Sequence, residues 1–119
     1  MNKTNQKYDL EERTFTFANN VRNFIKILPK NISNIEYCKQ LIRSSGSIGA
    51  NYIEANESFS KKDFVMRVKI CRKEAKETIY WLKLVESNSN TEKEKLVQEA
   101  TELMKICGAI IEKSKILKS

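Results

Sequence analysis

Two pairs of carboxylates, Glu54-x-x-Glu57 and Glu74-x-x-Glu77, are the groups best spaced to do chemistry. Three residues apart on a helix, the members of each pair share one face, where hard oxygen ligands suit Mg²⁺. A second set is cationic: Lys62, Lys69, Arg72, Lys73, Lys76 and Lys83, with Tyr80 among them. Residues 61–83 hold eight basic and three acidic side chains, a net +5 of the chain's +7, whereas residues 84–119 balance at six against six. Charge concentrated in this way is the footprint expected of phosphate-backbone binding; the plainer alternative is a solubilising face. The chain has no histidine, which removes the usual general base, the usual zinc ligand and the Glu-x-x-His motif of di-iron bundles. No catalytic set, metal centre or cofactor is expected.

These residues need helices to hold them. One proline and three glycines in 119 residues, with charged residues at 31%, suit long surface-charged helices better than a sheet. Four segments keep a heptad-like apolar rhythm. The first spans about 9–28 through Leu10, Phe17, Val21, Phe24 and Leu28, and Pro29 stops it. Ser33-x-x-Glu36 reads as a capping box for the second, whose stripe is Cys38, Leu41, Ile42, Ser45, Ile48, Gly49, Tyr52 and Ile53, ending near Phe59. Ser60-x-x-Asp63 opens the third, with Phe64, Val68, Cys71, Ala75, Thr78, Leu82 and Val85 inside. Thr91-x-x-Glu94 opens the fourth, with Leu96, Ala100, Leu103, Cys107, Ile110, Ser114 and Leu117. Gly108 marks a close helix approach in this reading. Short breaks force antiparallel neighbours, so the expected fold is all-α, an up-down-up-down four-helix bundle over residues 9–119 behind a disordered N-terminus, 1–8. An odd set of three cysteines without a C-x-x-C pair points to a reducing, cytoplasmic setting. No stretch approaches a membrane span or a signal peptide.

The second helix is crowded with poor helix formers: Ser44, Ser45, Gly46, Ser47, Gly49 and Asn51. On a helical wheel Arg43, Ser47, Asn51 and Glu54 fall opposite its apolar stripe. That face is either solvated or built for a partner; Ser, Gly and Asn there favour the partner. The third helix carries an extra strip, Met66, Ile70, Trp81 and Leu84, flanked by Glu74 and Glu77. It reads as a subunit contact, against the alternative of a wide core stripe.

The ordered strings Ser47-Ile48-Gly49-Ala50-Asn51, Glu54-Ala55, Lys62-Asp63-Phe64, Lys73-Glu74-Ala75 and Glu77-Thr78-Ile79-Tyr80-Trp81-Leu82 resemble a known family. It is that of the bacterial four-helix-bundle proteins encoded within intervening sequences of large-subunit (23S) ribosomal RNA genes, also called S23-type. The resemblance is close over half the chain, and the four-helix outline extends it to nearly all. It implies a homo-oligomer, a homopentameric barrel in known members. A more distant relative is the accessory variability protein of diversity-generating retroelements, a basic pentamer that binds nucleic acid and a reverse transcriptase. The carboxylate pairs also resemble the Glu-x-x-Glu…Glu-x-x-Asp pattern of all-α nucleoside triphosphate pyrophosphohydrolases. Here the last position is Glu77, and Glu54 points away from the face that should meet the third helix.

The reading that follows is a non-enzymatic, cytoplasmic homo-oligomeric bundle. Its expected partners are further copies of itself and RNA or other nucleic acid, held by Lys62, Lys69, Arg72, Lys73, Lys76 and Lys83. Its expected subunit interface is Arg43, Ser47, Asn51, Glu54, Met66, Ile70, Glu74, Glu77, Trp81 and Leu84. The alternative is an assembly or adaptor protein that contacts its own subunits or a protein partner and no nucleic acid. A Mg-dependent nucleotide pyrophosphohydrolase is the remote third.

Overall fold

The computed structural model describes residues 6–118, with side chains from Leu10 to Lys115. Four helices follow in order: α1 (Gln6–Lys26), α2 (Ile32–Asn56), α3 (Lys61–Leu84) and α4 (Asn90–Lys118). Each packs on the next and α1 returns to α4, which makes the antiparallel up-down-up-down bundle. The α2–α3 seam is the most extensive and the α1–α4 seam the lightest. Of the expected disordered N-terminus, residues 1–5 lie outside the described residues, and α1 already begins at Gln6.

Side-chain caps decide where the helices start, and two differ from expectation. The N-cap of α2 is Asn31, whose Oδ1 accepts from Asn34 N at 2.9 Å and from Ser33 Oγ at 3.0 Å. Ser33 is therefore already inside the helix, because Asn31 adopts the extended backbone a cap requires and takes the orphan amide first. In the α3–α4 connection, Ser89 Oγ accepts from Glu92 N at 3.4 Å, so α4 begins at Asn90, two residues ahead of the start that the Thr91 box implies. Ser60 caps α3 as expected, accepting from Asp63 N at 3.0 Å. Helix α2 ends at Asn56, three residues short of Phe59, which stands fully exposed in the turn.

The core runs the length of the bundle through Phe17, Val21, Leu41, Ile48, Val68, Leu82, Leu103 and Ile111, all nearly inaccessible. The inner line expected for α3 is correct from Val68 to Val85, with Phe64 half-buried at its start. That of α2 holds at Leu41, Ser45, Ile48 and Tyr52 but is rotated in part: Ser44 and Ala55 are buried beside them, while Ile42 and Ile53 are exposed. Serine lets α2 and α3 come close, and the isoleucines are left on the outer side of α2. On α4, Ile111 is buried and Ile110 only half so; Leu117's side chain lies outside the described residues. Gly49 does serve a close approach: a Cβ there would lie 2.7 Å from Thr14 Oγ1 on α1. Gly108 does not, since a Cβ would meet nothing within 4 Å. It sits about 100° round α4 from Cys107, off the inward line.

Asn34 ties together the two turns at one end of the bundle. It is buried, donates through Nδ2 to Pro29 O (2.8 Å) and Glu86 O (3.0 Å), and accepts Glu86 N at Oδ1 (2.9 Å). One amide thus satisfies backbone groups of the α1–α2 and α3–α4 connections, which would otherwise be orphaned.

Candidate functional site

Helix α3 displays both candidate surfaces. Its buried arc is the Val68–Cys71–Ala75–Thr78–Leu82 line, which leaves one flank toward α2 and a broad arc toward solvent. On the α2 flank, Thr78 Oγ1 donates to Glu74 O at 2.8 Å and lies 2.9 Å from Ser44 Oγ, wholly out of water. Around this polar centre, Arg43 Nη2 stands 3.7 Å from Glu74 Oε1 and 3.5 Å from Glu77 Oε1. Further along, Arg67 Nη1 donates to Asn51 Oδ1 at 3.0 Å, and Asn51 Nδ2 reaches back to Ser47 O and Oγ at 2.9 Å.

Arg43, Ser47 and Asn51 therefore border the α2–α3 seam and do not lie opposite the core. The misplacement follows from the rotated stripe: with Ser44 inward, Arg43 is carried to the rim beside α3. Arg43 pairs with Glu74 and Glu77 of its own chain; Glu54 stays exposed, away from them. The carboxylate pairs are thereby separated, and among the described residues no three acidic, cysteine or histidine side chains are placed to share a metal ion.

The expected Met66–Ile70–Trp81–Leu84 strip lies on the outer edge of the same flank. Met66 is 54% exposed and Leu84 38%, while Ile70 and Trp81 are half-buried. Trp81 stands between Tyr37 of α2 (ring centroids 6.0 Å apart) and Tyr80 (5.0 Å, edge to face). Two buried polar atoms on this flank have no hydrogen-bond partner among the described residues, Glu74 Oε1 and Trp81 Nε1. They are one heptad apart on α3 and so share one side of it.

The cationic set faces elsewhere. Lys62, Lys69, Arg72, Lys73, Lys76 and Lys83 are all exposed. The ion pairs of the described residues join Arg13, Lys39, Arg43, Lys95 and Lys115 to glutamates, and none involves these six. At the C-terminal end of α3, Lys93 Nζ donates to the carbonyls of Lys83 (3.3 Å) and Val85 (2.7 Å), closing that end of the stripe with another cation.

A feature that heptads did not disclose is a third surface beside α1 and α2. Ile35, Ile42 and Ile53 are exposed along one line of α2, and a shallow groove lined by Ile25, Leu28, Ile35, Cys38 and Ile42 runs next to them. Ile42 and Ile53 belong to the expected inward stripe and Ile35 to none, so the apolar line they form together on the outer side is the missed signal. Of the thiols, Cys38 lines this groove and is raised by burial; hydrogen bonding to Cys107, with burial, holds Cys71 far above its ordinary value, and the same bond lowers Cys107. Among the described residues, no helix is long and apolar enough to cross a membrane.

A crystal structure of a protein with unknown function from the S23 ribosomal protein family, from Bacteroides thetaiotaomicron VPI-5482, is 33% identical and superposes with a TM-score of 0.80. The alignment covers 89% of this chain and 97% of that one. No curated protein matches. The family model described as 23S rRNA-intervening sequence protein matches residues 6–112, which takes in all of α1, α2 and α3, the turns between them and most of α4. The chain belongs to the 23S rRNA-intervening sequence protein family.

Proposed function

We propose that this protein is a non-enzymatic, cytosolic homo-oligomer that binds nucleic acid, RNA foremost, through the outer arc of α3. The observation that carries the reading is the set of six exposed cations, Lys62 to Lys83, none of which forms an ion pair among the described residues. Elsewhere on the chain lysines alternate with glutamates three residues away, as in Lys95–Glu92 and Lys115–Glu112. A stripe left unneutralised keeps its field for polyanions, and phosphate contacts of this kind bind with little base preference. An oligomer, five-fold by the resemblance, would repeat the stripe and strengthen that field.

The test is anisotropy of labelled RNA across a salt series. Affinity should fall steeply with salt, with a slope of about −0.7 per neutralised phosphate on a single strand. The combined variant Lys69→Glu, Arg72→Glu, Lys76→Glu should lose at least about a hundredfold in affinity at low salt and lower the slope by about 2. Equal affinity of variant and wild type at low salt would refute the reading.

A second reading, an assembly or adaptor protein that contacts protein alone, draws on the buried Trp81 Nε1 and Glu74 Oε1, which accept or donate no hydrogen bond among the described residues (Glu74 Oε1 has only Arg43 at 3.7 Å), and on the exposed Met66 and Leu84. Buried polar atoms are rarely left unsatisfied, so a further copy of the chain or another protein docking on this flank would account for them. Both readings expect an oligomer. Native mass measurement of Trp81→Ala separates this interface from others: dissociation supports it, and an intact assembly counts against it. The absence of any salt-dependent RNA binding would favour the adaptor reading.

A further inference from the structure

We infer that the α3 stripe takes an unpaired strand, with Tyr80 as the platform on which a base stacks. The inference rests on the nucleic-acid reading above and adds the class of strand.

At about 100° per residue, Lys62, Lys69 and Lys73 fall within about 20° of Tyr80 around α3, and Lys76 and Lys83 within about 60°. The tyrosine thus stands within the cationic arc near the C-terminal end of the stripe, one turn from Lys76 on one side and from Lys83 on the other, with Arg72 about 80° away. It is 60% exposed. Its surroundings hold it in place: the ring meets Trp81 edge to face at 5.0 Å, and Trp81 in turn packs on Tyr37 at 6.0 Å. A ring held this way loses little freedom when a base comes to rest on it. At the other end of α3, immediately before its Ser60 cap, Phe59 is fully exposed beside Lys61 and Lys62. The stripe therefore runs between two exposed aromatics about 31 Å apart along the helix.

This arrangement suits a single strand and not a duplex. Every base offers a flat face, and alternating cations and aromatics follow a flexible backbone while stacking its bases. In a duplex those faces are already stacked, and a ring standing among the lysines would meet only the sugar-phosphate edge. A surface evolved for helix phosphates alone has no use for a fixed, exposed tyrosine among its lysines. Phosphate and base-face contacts are shared by RNA and DNA, so the ligand chemistry is an unpaired strand of either.

The experiment measures binding of an unstructured RNA of about 12 nucleotides, the same RNA annealed to its complement, and DNA of the same sequence. It uses full-length protein, Tyr80→Leu and Tyr80→Phe, each with its native mass and thermal unfolding checked. Tyr80→Leu should weaken single-strand binding about tenfold or more and leave duplex binding within about twofold, while Tyr80→Phe keeps both, because stacking needs the ring and not the hydroxyl. Single-stranded DNA should respond to Tyr80→Leu as RNA does. Phe59→Ala should show the same selectivity with a smaller loss. Single-strand binding that survives Tyr80→Leu, or duplex binding that falls equally, would overturn the stacking role while leaving the stripe intact. Failure of wild type to bind any of the three nucleic acids at about 50 mM salt would instead overturn the nucleic-acid reading itself.

Discussion

On the side of α3 that meets α2, Glu74 and Glu77 flank Arg43 and Arg67 reaches Asn51; on the side turned outward, Lys69, Lys73 and Lys76 form no ion pair among the described residues. The same helix thus spends one set of charges on its own chain and leaves the other unspent. Partly buried charge must be answered where it stands, since an unpaired carboxylate out of water is expensive. Exposed charge carries no such demand and is free for a ligand. The contrast predicts that changes on the inner side register in stability and changes on the outer side register in binding.

The largest effect on stability should come from Asn34, where the inner rule is applied most strictly. Asn34→Leu removes both donors and the acceptor that serve Pro29 and Glu86, and leaves Glu86 N without its partner in a closed turn. A loss of about 2–4 kcal/mol follows from three hydrogen bonds and the stranded backbone groups, read from the shift in urea midpoint. A loss under about 0.5 kcal/mol would mean that water replaces the amide, and that the closed end of the bundle is less dry than its burial indicates.

Arg43 is a sharper probe, because it can be set directly against the stripe. Arg43 is half in solvent and Glu74 is only 6% exposed, so Arg43→Ala should cost about 1–2 kcal/mol, less than a fully buried pair would. Adding Glu74→Gln should restore part of that, since the neutral amide no longer needs a cation. Lys69→Glu, Arg72→Glu and Lys76→Glu together should alter stability by no more than about 0.5 kcal/mol, as exposed charges do. If the stripe variant unfolds as easily as Arg43→Ala, the two sides of α3 do not differ in kind.

How much of this was legible depended on whether residue type names a side of the helix. For α3 it did: Val68, Cys71, Ala75, Thr78 and Leu82 keep one inward line, and the lysines opposite them keep another. The fold and the cationic surface were both readable for that reason. For α2 it did not. Serine and glycine fit a tight seam as well as an open surface, so Ser44 was overlooked while Ile42 and Ile53 were assigned inward on hydrophobicity alone. That one rotation moved Arg43, Ser47 and Asn51 from an imagined outer face to the rim of the seam. Asn34 was illegible for a different reason. Two of its three bonds go to Glu86, in a turn 52 residues away, and neither periodicity nor a capping pattern records them. The capping box at Ser33 misplaced the start of α2, because Asn31, an equally competent side chain two residues earlier, has the extended backbone and takes the amide of Asn34.

The smallest expected effect uses two glycines of α2 and asks whether its outer face is also spoken for. Gly49 and Gly46 lie one turn apart, and alanine favours a helix over glycine by about 1 kcal/mol at each. At Gly49 the gain is outweighed, because the new methyl would lie 2.7 Å from Thr14 Oγ1, itself held on Glu11 O at 2.9 Å. Gly49→Ala should therefore destabilise. At Gly46 a methyl meets nothing within 4 Å in the single chain, so Gly46→Ala should raise stability by about 0.5–1 kcal/mol. That expectation holds for the chain by itself. Gly46 stands on the same outer line as Ile42 and Ile53, where a small residue between exposed isoleucines would let a second helix approach closely. A Gly46→Ala protein that is more stable and keeps its native mass leaves this face to solvent. One whose assembly loosens while each chain stays folded would place a subunit contact on α2, beside the α1–α2 groove, and so separate from the Trp81 flank.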